Sequence, residues 1–242
     1  MKNRLSFLLA LLLLLSCSTE ETAPDDQPLG VSARSFLTDD IYDSLVVEIV
    51  YVTGFEPSGS TLSAIKGFLG TYLHKPGGIQ ITTRAIPAPG MGTYSISEVN
   101  AVEDMHRSVF TSGKKLSTFI FIADDKSDAS TSKEYVLGKA YKNTSLVIFE
   151  KDIRTLGEKE GIASSQIQEI TIKHEFGHLF GLVDNGTPAQ SDHVYQDPTN
   201  PGEKGHCSVS GCLMARNLDY EKAGNLSLEE LCHLDLVANG GK

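Results

Sequence analysis

Apolar positions recur along this chain with two periods, and the switches between them mark out alternating strands and helices. Leu45 to Val52 is almost continuously apolar and β-branched, which predicts a core strand. Leu62, Ile65, Leu69 and Leu73 then fall on one helical face. Ile79 to Arg84 alternates like a half-buried strand, and Pro87 to Gly92 reads as a loop. A helix opening at Ser97 would place Val99, Val102, Met105 and Val109 on one side. Leu116 to Ala123 predicts a buried strand, with shorter ones at Val136 to Tyr141 and Leu146 to Phe149. From about Ser164 to Leu182 the spacing is helical again, with Ile167, Ile170 and Phe176 facing inward. Beyond Leu182 the pattern breaks up around Asn185-Gly186, Pro188, Pro198 and Pro201. Asn225 to Glu230, with Ser227 three residues before Glu230, resembles a capping box opening a last helix.

No internal repeat and no second linker interrupts this series, so residues 36–242 are expected to form one domain. The order of elements predicts an α+β fold: a mixed, mainly parallel twisted sheet with flanking helices in residues 36–182, then a small, loop-rich helical lobe in residues 183–242. The 242 residues are 40% hydrophobic and 21% charged, enough for an ordinary buried core. Net charge is −10, which excludes the basic footprint that nucleic-acid binding needs. A monomer is expected.

Residues 1–16 have the layout of an export signal. Lys2 and Arg4 are followed by an apolar run from Leu5 to Leu15, shorter than the roughly 20 residues that span a bilayer. Leu14-Leu15-Ser16-Cys17 resembles the bacterial lipobox, which implies cleavage before Cys17 and lipid attachment to it. Residues 17–35 hold Glu20, Glu21, Asp25 and Asp26 with Pro24 and Pro28, a composition that predicts a flexible acidic tether. Together these features point to a lipoprotein on the outer membrane or cell surface of a Gram-negative bacterium, or facing its periplasm.

The chemistry concentrates in His174-Glu175-Phe176-Gly177-His178, an HExxH pattern on the long helix. Residues four apart share a helical face, so both imidazoles can reach one ion. Glu175 then sits beside it as a general base for a water whose pKa a zinc ion lowers from 15.7 to about 7. Gly181, three residues after His178, suits a sharp end to the helix. With Met214 downstream in Cys212-Leu213-Met214, the chain resembles the metzincin clan of zinc peptidases.

The C-terminal third resembles one metzincin family more closely. His206-Cys207, Cys212, Met214 and Cys232 follow the archaemetzincin signature in their spacing. That resemblance implies a metzincin-like fold, a catalytic zinc, an apolar floor beneath it at Met214, and a second zinc held by cysteines. Where the family ends on a Cys, this chain has Asp235, so the second set would be Cys207, Cys212, Cys232 and Asp235. The family also places its third catalytic His where this chain has Asp184. Three candidates for that ligand follow: His206 first, as the His of the His-Cys pair, then Asp184 by spacing, then His193 in the insert between them. The segment Val136 to Tyr141 resembles the family's strand beside the cleft.

Blander roles remain for the rest. His74, His106 and His233 read as surface or helix-end residues, and Tyr220 as a core or surface tyrosine, its spacing from Met214 being wrong for an oxyanion role. Setting Cys17 aside leaves three cysteines, an odd number that favours metal over disulfides, a Cys207–Cys212 bridge being the alternative. The expected function is a zinc metallopeptidase cleaving peptides or proteins at the cell surface or in the periplasm. Alternatives are a non-catalytic, zinc-stabilised binding lipoprotein and an amidase acting on cell-wall peptides.

Overall fold

The computed structural model describes residues 24–198, 200, 202, 204–218, 220 and 226–242. The export signal, Cys17, the start of the acidic stretch and Asn225 lie outside the described residues. Five strands form one sheet in the order β2-β1-β4-β7-β6: β1 (Ser44–Val52), β2 (Gly78–Ile86), β4 (Lys115–Ala123), β6 (Gly138–Lys142) and β7 (Ser145–Phe149). All pairings are parallel except β6 with β7, so β6 is an antiparallel edge. β3 (Thr93–Tyr94) and β5 (Lys126–Ser127) pair separately. The mixed, mainly parallel sheet expected from the apolar pattern is therefore present.

Alternation explains how one strand serves two layers. In β4, Ile120 and Ile122 enter the core beneath α2 (Gly59–Tyr72), α4 (Glu150–Glu160) and α5 (Ser164–Leu179). Phe119 and Phe121 enter a second core beneath α3 (Ile96–His106). Each is fully buried and contributes about 1.5–3 kcal/mol. Helix α5 packs against α2, α4 and the edge strand β6, which sets its last two turns beside the sheet's free edge.

Several expectations change in detail. Helix α3 is capped by Ser95, not Ser97: Ser95 Oγ accepts the Glu98 N–H at 3.3 Å, and a Glu98 oxygen accepts the Ser95 N–H at 2.7 Å. Met105 is 77% exposed, because the buried face of α3 is completed by Glu103. Helix α4 is absent from the apolar reading, since only Ile153 among its large apolar residues is buried. The last helix, α6 (Glu230–Ala238), is capped by Glu229, not Ser227, the Glu229 carboxylate accepting the N–H groups of Leu231 and Cys232.

The largest correction concerns the tether. From Pro24 onward the chain is docked, through a 3-10 turn (Pro24–Asp26) and the short helix α1 (Ala33–Leu37). Asp25 is 8% exposed and pairs with Arg107 at 2.8 Å. It also accepts the Thr111 N–H at 2.8 Å and the Thr144 hydroxyl at 2.9 Å. Arg107 in turn pairs with Glu103 at 2.8 Å, and Lys142 reaches Glu103 at 2.9 Å. A stretch too poor in apolar residues to build a core is held by a carboxylate whose charge and lone pairs are satisfied inside the domain.

Candidate metal centre and cleft

Helix α5 ends in a turn that few sequences can make. Gly181 has φ +73°, and Val183 and Asp184 follow at +58° and +61°. A β-branched residue in this region stores strain of order 1–3 kcal/mol. The chain then leaves on a long excursion and closes it at once on return: the Gly205 N–H donates to the Val183 carbonyl at 2.9 Å. Residues 193–195 pair antiparallel with 206–208, the Tyr195 N–H donating to the His206 carbonyl at 2.7 Å and the Ser208 N–H to that of His193 at 2.8 Å. This ladder carries His206 to the end of α5.

His174, His178 and His206 bring one ring nitrogen each within 4.8 Å of one another. The Nε2 atoms of His174 and His178 are 3.1 Å apart, a spacing that two nitrogens at about 2.0–2.1 Å from a shared ion would have. His174 Nδ1 lies 2.7 Å from the Leu213 carbonyl, which fixes the proton there and leaves Nε2 bare. Burial pushes the His174 imidazole down to about 4, with the His206 charge adding to it. Burial also holds His178 well below the usual range and lowers His206. All three rings are neutral at neutral pH, the form with a lone pair to give.

Asp184 takes no part in this convergence. Its carboxylate accepts the Ala189 N–H at 2.8 Å and pairs with Lys204 at 3.1 Å. Met214, in the expected turn, is fully buried against α5, where Gly177 is what admits it. A Cβ at Gly177 would sit 2.1 Å from the Met214 sulfur. Glu175, on the same helix, accepts the Ala140 N–H of the edge strand at 2.7 Å through Oε2. Burial pushes its carboxyl up to about 8, with that amide opposing the shift. His174, Glu175, His178 and His206 share one open cleft of about 710 Å³ with Gly138, Lys139 and Ala140 of β6. Tyr220 also lines it, close enough to Glu175 that the carboxylate, after burial, raises the phenol. Spacing from Met214 had placed Tyr220 in core or surface; position in the cleft comes from the fold of the C-terminal lobe.

A second cluster lies under the C-terminal lobe. Cys207, Cys212 and Cys232 are buried free thiols, so the Cys207–Cys212 bridge is not made. The Cys212 and Cys232 sulfurs are 3.5 Å apart. Hydrogen bonds from Cys207 and Cys232 pull the Cys212 thiol down to about 3, while the bond to Cys212 raises Cys207 and the bonds to Cys207 and Cys212 raise Cys232. The fourth member differs from expectation. His193, 1% exposed, groups with Cys207, Cys232 and Glu229 within 4.8 Å. Asp235 stands behind it, Oδ2 lying 3.2 Å from His193 Nε2, while Oδ1 accepts the Gln190 N–H at 2.8 Å. Glu229 is occupied in capping α6. Of the predicted residues, His74 and His233 are exposed and His106 ends α3, and none of the three belongs to either cluster.

No protein-family model matches the sequence, and no curated protein sequence does. Among solved structures, the chain is similar to archaemetzincin from Methanopyrus kandleri, with a TM-score of 0.52 at 16% identity over 81% of this chain and 96% of that one. It also aligns with a zinc-dependent peptidase from Methanocorpusculum labreanum, with a TM-score of 0.45 at 15% identity over 78% of this chain and 99% of that one. With its parallel sheet, antiparallel edge strand and adjoining helix, this chain has the fold of archaemetzincin.

Proposed function

We propose that the chain is a zinc-dependent metallopeptidase. The observation that carries this reading is the convergence of three neutral imidazoles beside a buried carboxylate that is not one of the converging groups, all in a cleft bordered by a sheet edge. Three nitrogen donors with room for a further ligand are the donor set of a catalytic zinc site, whereas structural sites are closed by four protein ligands. His174, His178 and His206 would hold the ion. When bound, zinc supplies Lewis acidity and lowers the pKa of water to about 7.

The protein's own groups supply the rest. Glu175 Oε2 is tied to the Ala140 amide, and a cation held by the neighbouring imidazoles would offset the burial that raises this carboxyl and favour its ionised form, leaving Oε1 to take a proton from the attacking water and later pass it to the leaving amine. An extended peptide would lie along the free edge of β6, where strand addition supplies backbone hydrogen bonds. Cys207, Cys212, Cys232 and His193 would hold a second, structural zinc, with Asp235 orienting the histidine as outer carboxylates do. In this reading His193 takes the place that the archaemetzincin resemblance gave to Asp235.

Chelation should abolish hydrolysis of a peptide mixture, and zinc should restore it. His206→Ala should cost more than the roughly 10–100-fold in zinc affinity that follows from disturbing an outer partner of a ligand. Asp184→Ala should leave the catalytic zinc in place. The reverse pattern would remove His206 from the site.

The Leu14-Leu15-Ser16-Cys17 segment supports export and lipid attachment. Cys17→Ala should therefore block incorporation of a clickable fatty acid and release the protein from the membrane fraction. Equal labelling of variant and wild type would refute the anchor.

A further inference from the structure

The docked N-terminal segment reaches the cleft. On one side it leans on the β6–β7 turn through Asn143, which is fully buried. The Asn143 N–H donates to the Gln27 carbonyl at 3.2 Å, and its Nδ2 donates to the Pro24 carbonyl at 3.0 Å. Its Oδ1 accepts the Ser32 N–H at 3.1 Å. On the other side the segment meets the loop that follows α5. Gly30 approaches it so closely that a Cβ there would lie 1.9 Å from the Asn185 carbonyl oxygen. A Cβ at Gly186 would in turn lie 2.5 Å from the Gly30 carbonyl. Asn185 is itself a cleft residue. Between these two supports Leu29 lines the cleft, half-buried, with its inner side against the main core.

This arrangement is more than fastening. A chain end that only needed securing could have been pinned by Asp25 and Arg107 alone, 82 positions apart in sequence. Here the pinned residue is followed by a glycine-to-glycine backbone contact that leaves Leu29 on the cleft surface, whereas the other apolar side chain of the stretch, Val31, is not among the cleft-lining residues. The nearby cleft surface is otherwise polar on this flank, with Asn185 and Lys204.

We propose that residues 27–32 form a built-in wall of one substrate subsite. Leu29 is its specificity-determining residue and favours an apolar side chain of a peptide. Asp25 is a positioning residue that acts through Arg107 to hold the wall in place. The proposal rests on the cleft being a peptide-binding site, as the peptidase reading has it.

The test compares zinc-loaded wild type with Leu29→Ala, Leu29→Met and Asp25→Ala. Binding of tripeptide hydroxamates that differ in one side chain, leucyl against glycyl at each position in turn, is measured by calorimetry. Cleavage of a peptide mixture is profiled alongside. At one position only, wild type should prefer leucyl, and Leu29→Ala should reduce that preference about 10-fold, the order expected for lost apolar contact in a pocket. Leu29→Met should retain the preference. Asp25→Ala should weaken it at that same position, with the preferences elsewhere unchanged, which general destabilisation would not produce. Preferences unchanged by Leu29→Ala at every position would overturn the proposal, whether or not peptides are cleaved. A changed preference in hydroxamate binding, with no peptide cleaved by wild type, would leave the wall standing and remove the peptidase reading.

Discussion

Glu175→Gln is expected to lower peptide hydrolysis by about 10²–10⁴-fold, the range that a positioned general base contributes, while zinc content stays near that of wild type. The two halves of this expectation come from different contacts. Glu175 is not one of the three residues whose ring nitrogens converge, so removing its charge takes nothing from that set. Glutamine has the same shape and can still accept the Ala140 N–H that holds the side chain against β6. What it lacks is the basic oxygen that would receive a proton. Activity should be read on a broad peptide mixture, because a narrow specificity would hide turnover of any single peptide, and zinc by elemental analysis. Turnover by the variant at the wild-type rate would remove Glu175 from the role of base.

Cys232→Ser is expected to lower the metal content from about two ions per chain to one and to reduce the melting temperature. Cys207 and His193 lie on the strand pair that carries His206 and Cys232 lies on the helix α6, so an ion there would join the two elements. Loss of a structural metal belongs among the few single changes that cost about 4 kcal/mol or more. In a domain of this size that corresponds to a fall of about 8–16 °C. Because Cys207 adjoins His206, zinc affinity at the catalytic site should also weaken. A single metal in wild type, with Cys207 and Cys212 found disulfide-bonded by mass spectrometry, would refute the second site.

What the sequence discloses about this molecule follows the range over which each feature is determined. The pair His174 and His178 is legible because helical period alone puts them on one face. The strands β1, β4 and β7 are legible because their residues are predominantly apolar, as those of strands buried on both faces are. The third imidazole is harder to place, since Asp184 occupies the expected spacing. Only the left-handed turn at Val183–Asp184 and the Gly205–Val183 hydrogen bond reveal that the intervening residues form a closed excursion. His193 could not be read at all as a partner of the cysteines, because its place depends on that excursion folding back on itself. Asp25 misled for a related reason. Acidic, proline-containing composition signals a chain without a core of its own, but says nothing about an arginine far along the sequence that is buried and needs a carboxylate.

The docking of Asp25 also sets how far the protein could range if Cys17 carries lipid. Seven peptide steps separate Cys17 from Pro24, which reach about 25 Å when fully extended. A leash running free to residue 35 would have reached about 60 Å. The shorter leash would confine the domain to a shell less than one protein diameter deep above the headgroups.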